Sequence, residues 1–334
     1  MEATTFDGVL PYVEALGSAP VWATSVLLCI GAIALLTIAY KLYNHASFYL
    51  LPYQSLDKYR REDKSWALVT GGSAGIGLET AKELAIQGFN ILILGHLPQE
   101  LEEAARSIQA YAPGTEVKVI VMNAVTATPE QIEEGLGETL SLPLTVLVNN
   151  VAVSPVTFPG IQNLAEYSAA DLDRQIFANA RFMSHVTRIL LPNLAVYGPS
   201  MVLNVSSGAK MGVPGIAPYS ACKGYIVSMN RAIAREMTAT RQPVDCLTIL
   251  PGDVKTPSNH ISLTPGAPDA NTFAKAMLAR APRAISRGWH ELYPMWIHSL
   301  SFHVADMIPR SMLESSLLAT FETKRQLVLK SKMN

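Results

Sequence analysis

The sequence predicts an α/β protein built on a doubly wound parallel sheet, with a transmembrane helix before it and a helical extension after it. Three observations predict this. Short runs rich in Val, Ile and Leu alternate with helical patterns from Trp66 onward, as strands covered by helices on both faces do. A glycine-rich stretch, Thr70-Gly-Gly-Ser-Ala-Gly-Ile-Gly77, joins the first strand to the first helix. An uncharged segment, Ala15 to Tyr40, precedes both.

That segment contains no Asp, Glu, Lys, Arg or His, and Val21 to Tyr40 alone supplies the length a helix needs to cross a bilayer. A cleaved leader would carry a basic start and a shorter apolar core. Here Glu2, Asp7 and Glu14 precede the apolar run, whereas Lys41, Lys58, Arg60 and Arg61 follow it. The positive-inside bias then places the N-terminus outside and the remainder in the cytosol.

Strands are expected at Trp66–Thr70, Asn90–Leu94, Glu116–Met122, Leu144–Asn149, Ser200–Val205 and Val244–Leu250. Helices are expected at Gly75–Gln87, Gln99–Tyr111, Pro129–Leu140, Ala169–Leu194 and Pro218–Arg241. Beyond Pro251, the Pro-, Ser-, Thr- and Gly-rich stretch Pro257 to Asp269 predicts a mobile loop at the mouth of a site, and Asn271 to Ser286 a helix. Trp289 to Ile308 mixes aromatic residues and Met with three histidines and an Asp. Too polar to span a bilayer, it lies either at the membrane interface or as a helical cap on the core. The expected division is 1–44 with a span at about 20–40, a tether at 45–64, a catalytic domain at 65–256, and a substrate loop with a helical, membrane-associated or capping extension at 257–334.

Composition narrows the function. Lys+Arg 26 against Asp+Glu 27 leaves no basic field, which excludes nucleic acid as a partner. Cys29, Cys222 and Cys246 have neither metal-ligand nor disulfide spacing, so no metal site is expected and a reducing compartment is. The mean hydropathy of +0.21 is high and its excess sits in the N-terminal segment.

The glycine-rich turn follows a strand and opens a helix, the context in which Gly71, Ser73, Gly75, Ile76 and Gly77 let backbone approach a dinucleotide pyrophosphate. At the end of the second strand an acidic residue would favour a free ribose 2′-hydroxyl. The chain has Gly95-His96-Leu97 instead; a 2′-phosphate meets no carboxylate there and His96 is placed to contact it, which points to NADP(H).

Tyr219 and Lys223, in Tyr219-Ser-Ala-Cys-Lys223, are four residues apart and share a helix face. A free phenol titrates near 10, too high for acid–base work at neutral pH, and an adjacent ammonium is expected to lower it. Asn204-Val-Ser-Ser207 and Asn149-Asn-Val-Ala152 close two strands, where an open sheet presents ligand-facing groups, and Asn179 sits in the long helix between them. The Asn204-Val-Ser206 sequon is expected to be buried and unmodified.

Taken in order, TGGSAGIG, NNVA, Asn179, NVSS, YSACK and PGDVKT resemble the short-chain dehydrogenase/reductase superfamily over roughly Trp66 to Thr256. Within it the chain is similar to the membrane-bound very-long-chain 3-oxoacyl-CoA reductases and their hydroxysteroid dehydrogenase relatives. The resemblance implies a Rossmann-type fold, with Tyr219 as general acid in reduction and Lys223 depressing its pKa and binding the nicotinamide ribose. It implies Ser207 on the substrate carbonyl and Asn179 holding a water between Lys223 and solvent. Asn123 would lie near the adenine and Asn149 on the cofactor side of the cleft, with Pro251, Gly252, Val254 and Thr256 flanking the nicotinamide. The serine is ambiguous: counting back from the tyrosine selects Ser206, the Ser-Ser pair selects Ser207, and strand-end geometry favours Ser207. Asn123 replaces the family's aspartate, Gly95-His96 a small residue plus arginine, and Ala152 a glycine.

The expected reaction is reduction of 3-oxoacyl-CoA to 3-hydroxyacyl-CoA in very-long-chain fatty-acid elongation. A steroid, sphingoid or secondary-metabolite ketone is the alternative substrate, and an inactive nucleotide-binding scaffold the non-enzymatic alternative. Membrane lipid and a second copy or elongation proteins are the expected partners. Lys330-Ser-Lys-Met-Asn334 looks like the dilysine retrieval signal of endoplasmic reticulum membrane proteins, which is read from the cytosol, so charge bias and tail imply one topology.

Overall fold

The computed structural model describes residues 20–61, 65–153, 160–260, 263–264 and 266–333. Glu2, Asp7, Glu14 and part of the loop after Asn259 lie outside the described residues, as do the side chains of Lys330 and Lys332. The chain divides into two units, Met1–Pro52 and Tyr53–Asn334.

Among the described residues the first unit holds one helix, α1 (Val21–Leu50), which runs beyond the expected boundary at 44. Its mean hydropathy over the most apolar window is 2.3, long and apolar enough for a bilayer.

In the second unit seven strands form a single sheet in the order β3-β2-β1-β4-β5-β6-β7, every neighbouring pair parallel. The strands are β1 (Trp66–Thr70), β2 (Asn90–Gly95), β3 (Val117–Val121), β4 (Leu144–Asn149), β5 (Ser200–Val205), β6 (Val244–Ile249) and β7 (Glu291–Leu292). Every residue of β1, β2, β4 and β5 is buried, which is why those segments read as unbroken apolar runs. The edge strand β3 is half-exposed and carries Lys118, whose charge discourages pairing with another sheet.

The helices are α2 (Gly75–Ile86), α3 (Pro98–Tyr111), α4 (Pro129–Leu136), α5 (Ala169–Ile176), α6 (Phe182–Val196), α7 (Ala217–Ala239), α8 (Ala270–Ser286), α9 (Trp296–Met307) and α10 (Arg310–Met333). Caps fix several starts: Thr128 and Gln131 form a reciprocal box before α4, Ser168 caps α5, and Asp269 caps α8. Right-handed crossovers put helices on opposite faces as the sheet winds first one way and then the other. Accordingly α2 packs on α3 and α8, whereas α6 packs on α4 and α7 on α5. The winding reverses between β1 and β4, so a crevice opens at their carboxyl ends.

Two expectations change. Much of the expected tether is docked: Leu56 and Tyr59 are buried, the Gln54 N–H donates to the Ala279 carbonyl, and Lys58 and the Tyr59 hydroxyl both bond Asp245. The long helix expected at Ala169–Leu194 is α5 and α6 joined by a π-helical turn, Phe177–Arg181.

Candidate active site

One cavity of about 1080 Å3 opens at the carboxyl edge of the sheet. The β1–α2 turn forms one wall. Gly71 and Gly75 have φ of +66 and +57°, which side-chain-bearing residues rarely adopt. The N–H groups of Gly71 and Gly72 bond the Leu94 carbonyl at the end of β2, pinning the turn down. Ala74 precedes α2 without a side-chain cap, and the first turn of α2 holds no acidic residue. Ser73, Gly75 and Ile76 line the cavity at this uncapped helix start, whose own first N–H groups suit an anionic ligand. These features fit a dinucleotide pyrophosphate.

Gly77 is not part of the lining. A Cβ there would lie 2.0 Å from the Gly71 carbonyl oxygen and 2.6 Å from Asn150 Nδ2, so the third glycine serves close packing of helix on turn. His96 and Asn123 line the cavity, and the Asn123 side-chain oxygen accepts the Val125 N–H. Sequence reasoning missed Glu100 in the first turn of α3, to which Ser73 donates a hydrogen bond at 3.4 Å. A carboxylate therefore stands beside the glycine-rich turn.

Asn149 departs from expectation. It is buried and donates to Thr187 at 2.9 Å and Asn204 at 2.7 Å, and Asn204 donates to Asn230 at 2.7 Å, a ladder joining β4, β5 and α7. Its successor Asn150 reaches the cavity, with Nδ2 on the Thr70 and Gly71 carbonyls. Consecutive residues at a strand end face opposite ways, which explains the exchange.

The same parity separates the two serines. Ser206 donates to the Lys223 carbonyl at 2.7 Å and is held against α7. Ser207 stands beside Tyr219 and favours the ionised form of its phenol, while its hydroxyl oxygen accepts the Ala209 N–H. Lys223 is 1 % exposed, donates to the Val205 carbonyl at 3.0 Å, and lies 5.3 Å from the Tyr219 ring centre. Burial pushes Tyr219 up to about 12 although Ser207 pulls the other way. Burial pulls Lys223 down to about 8. The expected lowering of the phenol by its lysine is not seen in the protein alone, where burial dominates: a site dry enough to hide the ammonium disfavours the phenolate as well.

Asn179 lies in the π-helical turn and its side chain does not line the cavity. Its oxygen accepts the Val153 N–H and its amide donates to the Val153 and Gln175 carbonyls. Pro251, Gly252, Val254 and Thr256 complete the wall opposite α2.

The ceiling was not foreseen in its detail. His298 of α9 is buried and its Nδ1 accepts the Gly252 N–H at 3.2 Å. Burial holds that imidazole below its usual range, with Asp253 opposing, so it stays neutral at neutral pH. Phe302 covers Gly208, where a Cβ would come within 1.9 Å of its ring, and Phe321 of α10 covers Gly215 likewise at 2.2 Å. Glu291 of β7 pairs with Lys210 and Arg231, tying this edge to the loop after Ser207.

A family model described as short chain dehydrogenase matches residues 65–264. The chain is 34% identical over 256 residues to a very-long-chain 3-oxoacyl-CoA reductase of Mycosarcoma maydis, covering 72% of this chain and 71% of that protein. It is 31% identical to the 17-beta-hydroxysteroid dehydrogenase type 3 of Danio rerio, with coverage of 75% and 79%. Among solved structures, an actinorhodin polyketide ketoreductase with NADPH superposes with a TM-score of 0.52 at 27% identity, covering 59% of this chain and 73% of that one. A match of this extent, on a sheet whose carboxyl edge carries the groups just described, makes the chain a member of the short-chain dehydrogenase family, an oxidoreductase that works with a nicotinamide cofactor.

Proposed function

We propose that the protein uses NADPH to reduce the ketone of a long-chain acyl thioester, 3-oxoacyl-CoA to 3-hydroxyacyl-CoA, as a step in very-long-chain fatty-acid elongation. The observation that carries the reading is a single cavity with Tyr219, Lys223 and Ser207 at its base and Ile297, Phe302, Leu317 and Phe321 in its apolar ceiling. The named activity of the Mycosarcoma maydis relative supports the substrate class.

Gly71, Ser73, Gly75 and Ile76 would hold the pyrophosphate, His96 and Asn123 the adenosine end, and Pro251, Gly252, Val254 and Thr256 the nicotinamide. Bound there, the cofactor supplies the hydride. Ser207 hydrogen-bonds the substrate carbonyl and steadies the charge that develops on its oxygen. Tyr219 carries its proton at neutral pH and gives it to that oxygen. Lys223, buried beside the phenol, carries a proton that can replace the one Tyr219 gives up. The apolar helix α1 supports a membrane anchor, and its flanking charges and the lysine tail support the endoplasmic reticulum with the catalytic unit in the cytosol.

The test is oxidation of NADPH or NADH by the purified full chain with 3-oxoacyl-CoAs of increasing length. NADPH oxidation with long chains is expected, with Tyr219→Phe slower by about 10²–10⁴-fold, the usual worth of a positioned acid. Inertness toward every chain length alongside turnover of steroid ketones would favour the second reading, which the Danio rerio relative supports. Unchanged cellular function in Tyr219→Phe would indicate a nucleotide-binding scaffold.

A further inference from the structure

Helix α9 turns one face to the cavity and another, apolar one, to the outside. His298, Ser301 and Phe302 line the cavity. Trp296, Leu300, Val304 and Met307, spaced four, four and three apart, are 55%, 47%, 48% and 84% exposed. At 100° per residue they share a stripe, with His303 at its margin. Ile297 belongs to both faces, lining the cavity while 37% exposed. Scattered exposed apolar residues are ordinary on a soluble protein; a stripe of large ones ending in a tryptophan marks a contact surface.

We propose that this stripe rests on the lipid surface and that Ile297 borders the passage by which a lipid-borne ketone reaches Tyr219 without crossing water. The inference rests on the proposed reading of α1 as a bilayer span. Between the end of α1 at Leu50 and the docked Gln54 lie Leu51, Pro52 and Tyr53, a reach of about 10 Å. Even with the ten residues of α1 beyond Tyr40, about 15 Å of helix, so short a link keeps the catalytic unit within reach of the bilayer. A stripe too small to bind lipid alone then suffices, because tethering makes the contact intramolecular and raises the local concentration of the surface it meets. A long-chain ketone partitions into the same bilayer, and each methylene it exposes in leaving costs free energy. A passage from lipid to cavity removes that cost.

The experiment reconstitutes the full chain, carrying Cys29→Ser, in phosphatidylcholine vesicles. A polarity-sensitive fluorophore is placed at Val304→Cys or, as control, at the exposed Glu103→Cys on α3. Brominated lipid should quench the first label and not the second, a readout that needs no turnover. In addition, Leu300→Asp with Val304→Asp should raise KM for a vesicle-borne long-chain 3-oxoacyl-CoA about tenfold while leaving a short, water-soluble ketone unaffected. Equal quenching at both sites, or quenching at Val304 only by a second labelled copy, overturns the proposal. Failure to float with vesicles refutes the anchor itself. Quenching without reduction of any ketone refutes the proposed reaction and leaves the lipid contact standing.

Discussion

At the scale of single residues, the Tyr219–Lys223 pair shows a reactive group held at a cost to stability. The lysine titrates at about 8 when folded against an ordinary 10.5. Below pH 8 both folded and unfolded chains keep the proton, and the folded chain bears the full penalty of the buried charge. Between pH 8 and 10.5 the unfolded chain binds more protons than the folded one, so stability rises with pH through that window. A Lys223→Met variant is therefore expected to be more stable than the parent at pH 7, by on the order of 3 kcal/mol, and to lose catalysis. Denaturant titrations of both proteins across pH 7 to 10.5 check this, the expected result being a gap that closes as pH rises. The pair was legible in the sequence because spacing of four residues on a helix fixes which side chains share a face. Asn149 was not, because a strand pattern locates the end of a strand without saying which of its last two residues faces the ligand. The Ser-Ser pair posed the same difficulty: Ser206 is hydrogen-bonded to α7, whereas Ser207 stands beside the phenol.

At the scale of elements, the β1–α2 junction depends on contact between backbones. Gly77→Ala places a methyl 2.0 Å from the Gly71 carbonyl oxygen, and neither atom belongs to a flexible side chain. The junction must open, so the variant should lose about 2 kcal/mol or more of stability and weaken dinucleotide binding at least tenfold. Thermal melting with and without NADPH checks both, and an unchanged ligand-induced rise in Tm would refute the role given to the turn. Strands β1, β2, β4 and β5 were readable because strands buried on both faces give continuous apolar runs bounded by turns. The break at Phe177–Arg181 was not, since no local preference distinguishes a π-turn from the α-helix around it, and it follows instead from the bonds of Asn179 to Val153 and Gln175. Strand β7, two residues long, is too short to carry a period, and its place is fixed by pairing with β6 and by the ion pairs of Glu291.

At the scale of the molecule, the cavity draws its base from the sheet and its ceiling from the chain beyond Trp296. Phe302 stacks on Tyr293 at 5.1 Å between ring centres and closes the space over Gly208. Phe302→Ala should widen that space, lowering Tm by several degrees and improving kcat/KM for branched or bulky ketones relative to linear ones. Competition assays with paired substrates read this ratio, and an unaltered ratio would remove Phe302 from the substrate's path. The catalytic groups and the sheet that carries them were visible in the sequence as ordered motifs. The ceiling was visible only as a helical, aromatic tail, because its meaning depends on contacts of Phe302 and Phe321 with Gly208 and Gly215, far earlier in the chain. That arrangement has an evolutionary consequence. On the proposed reading, the reacting groups and the surface that covers the ketone are inherited on separate stretches of polypeptide, so a descendant can change its diet by altering the tail while its chemistry stays intact.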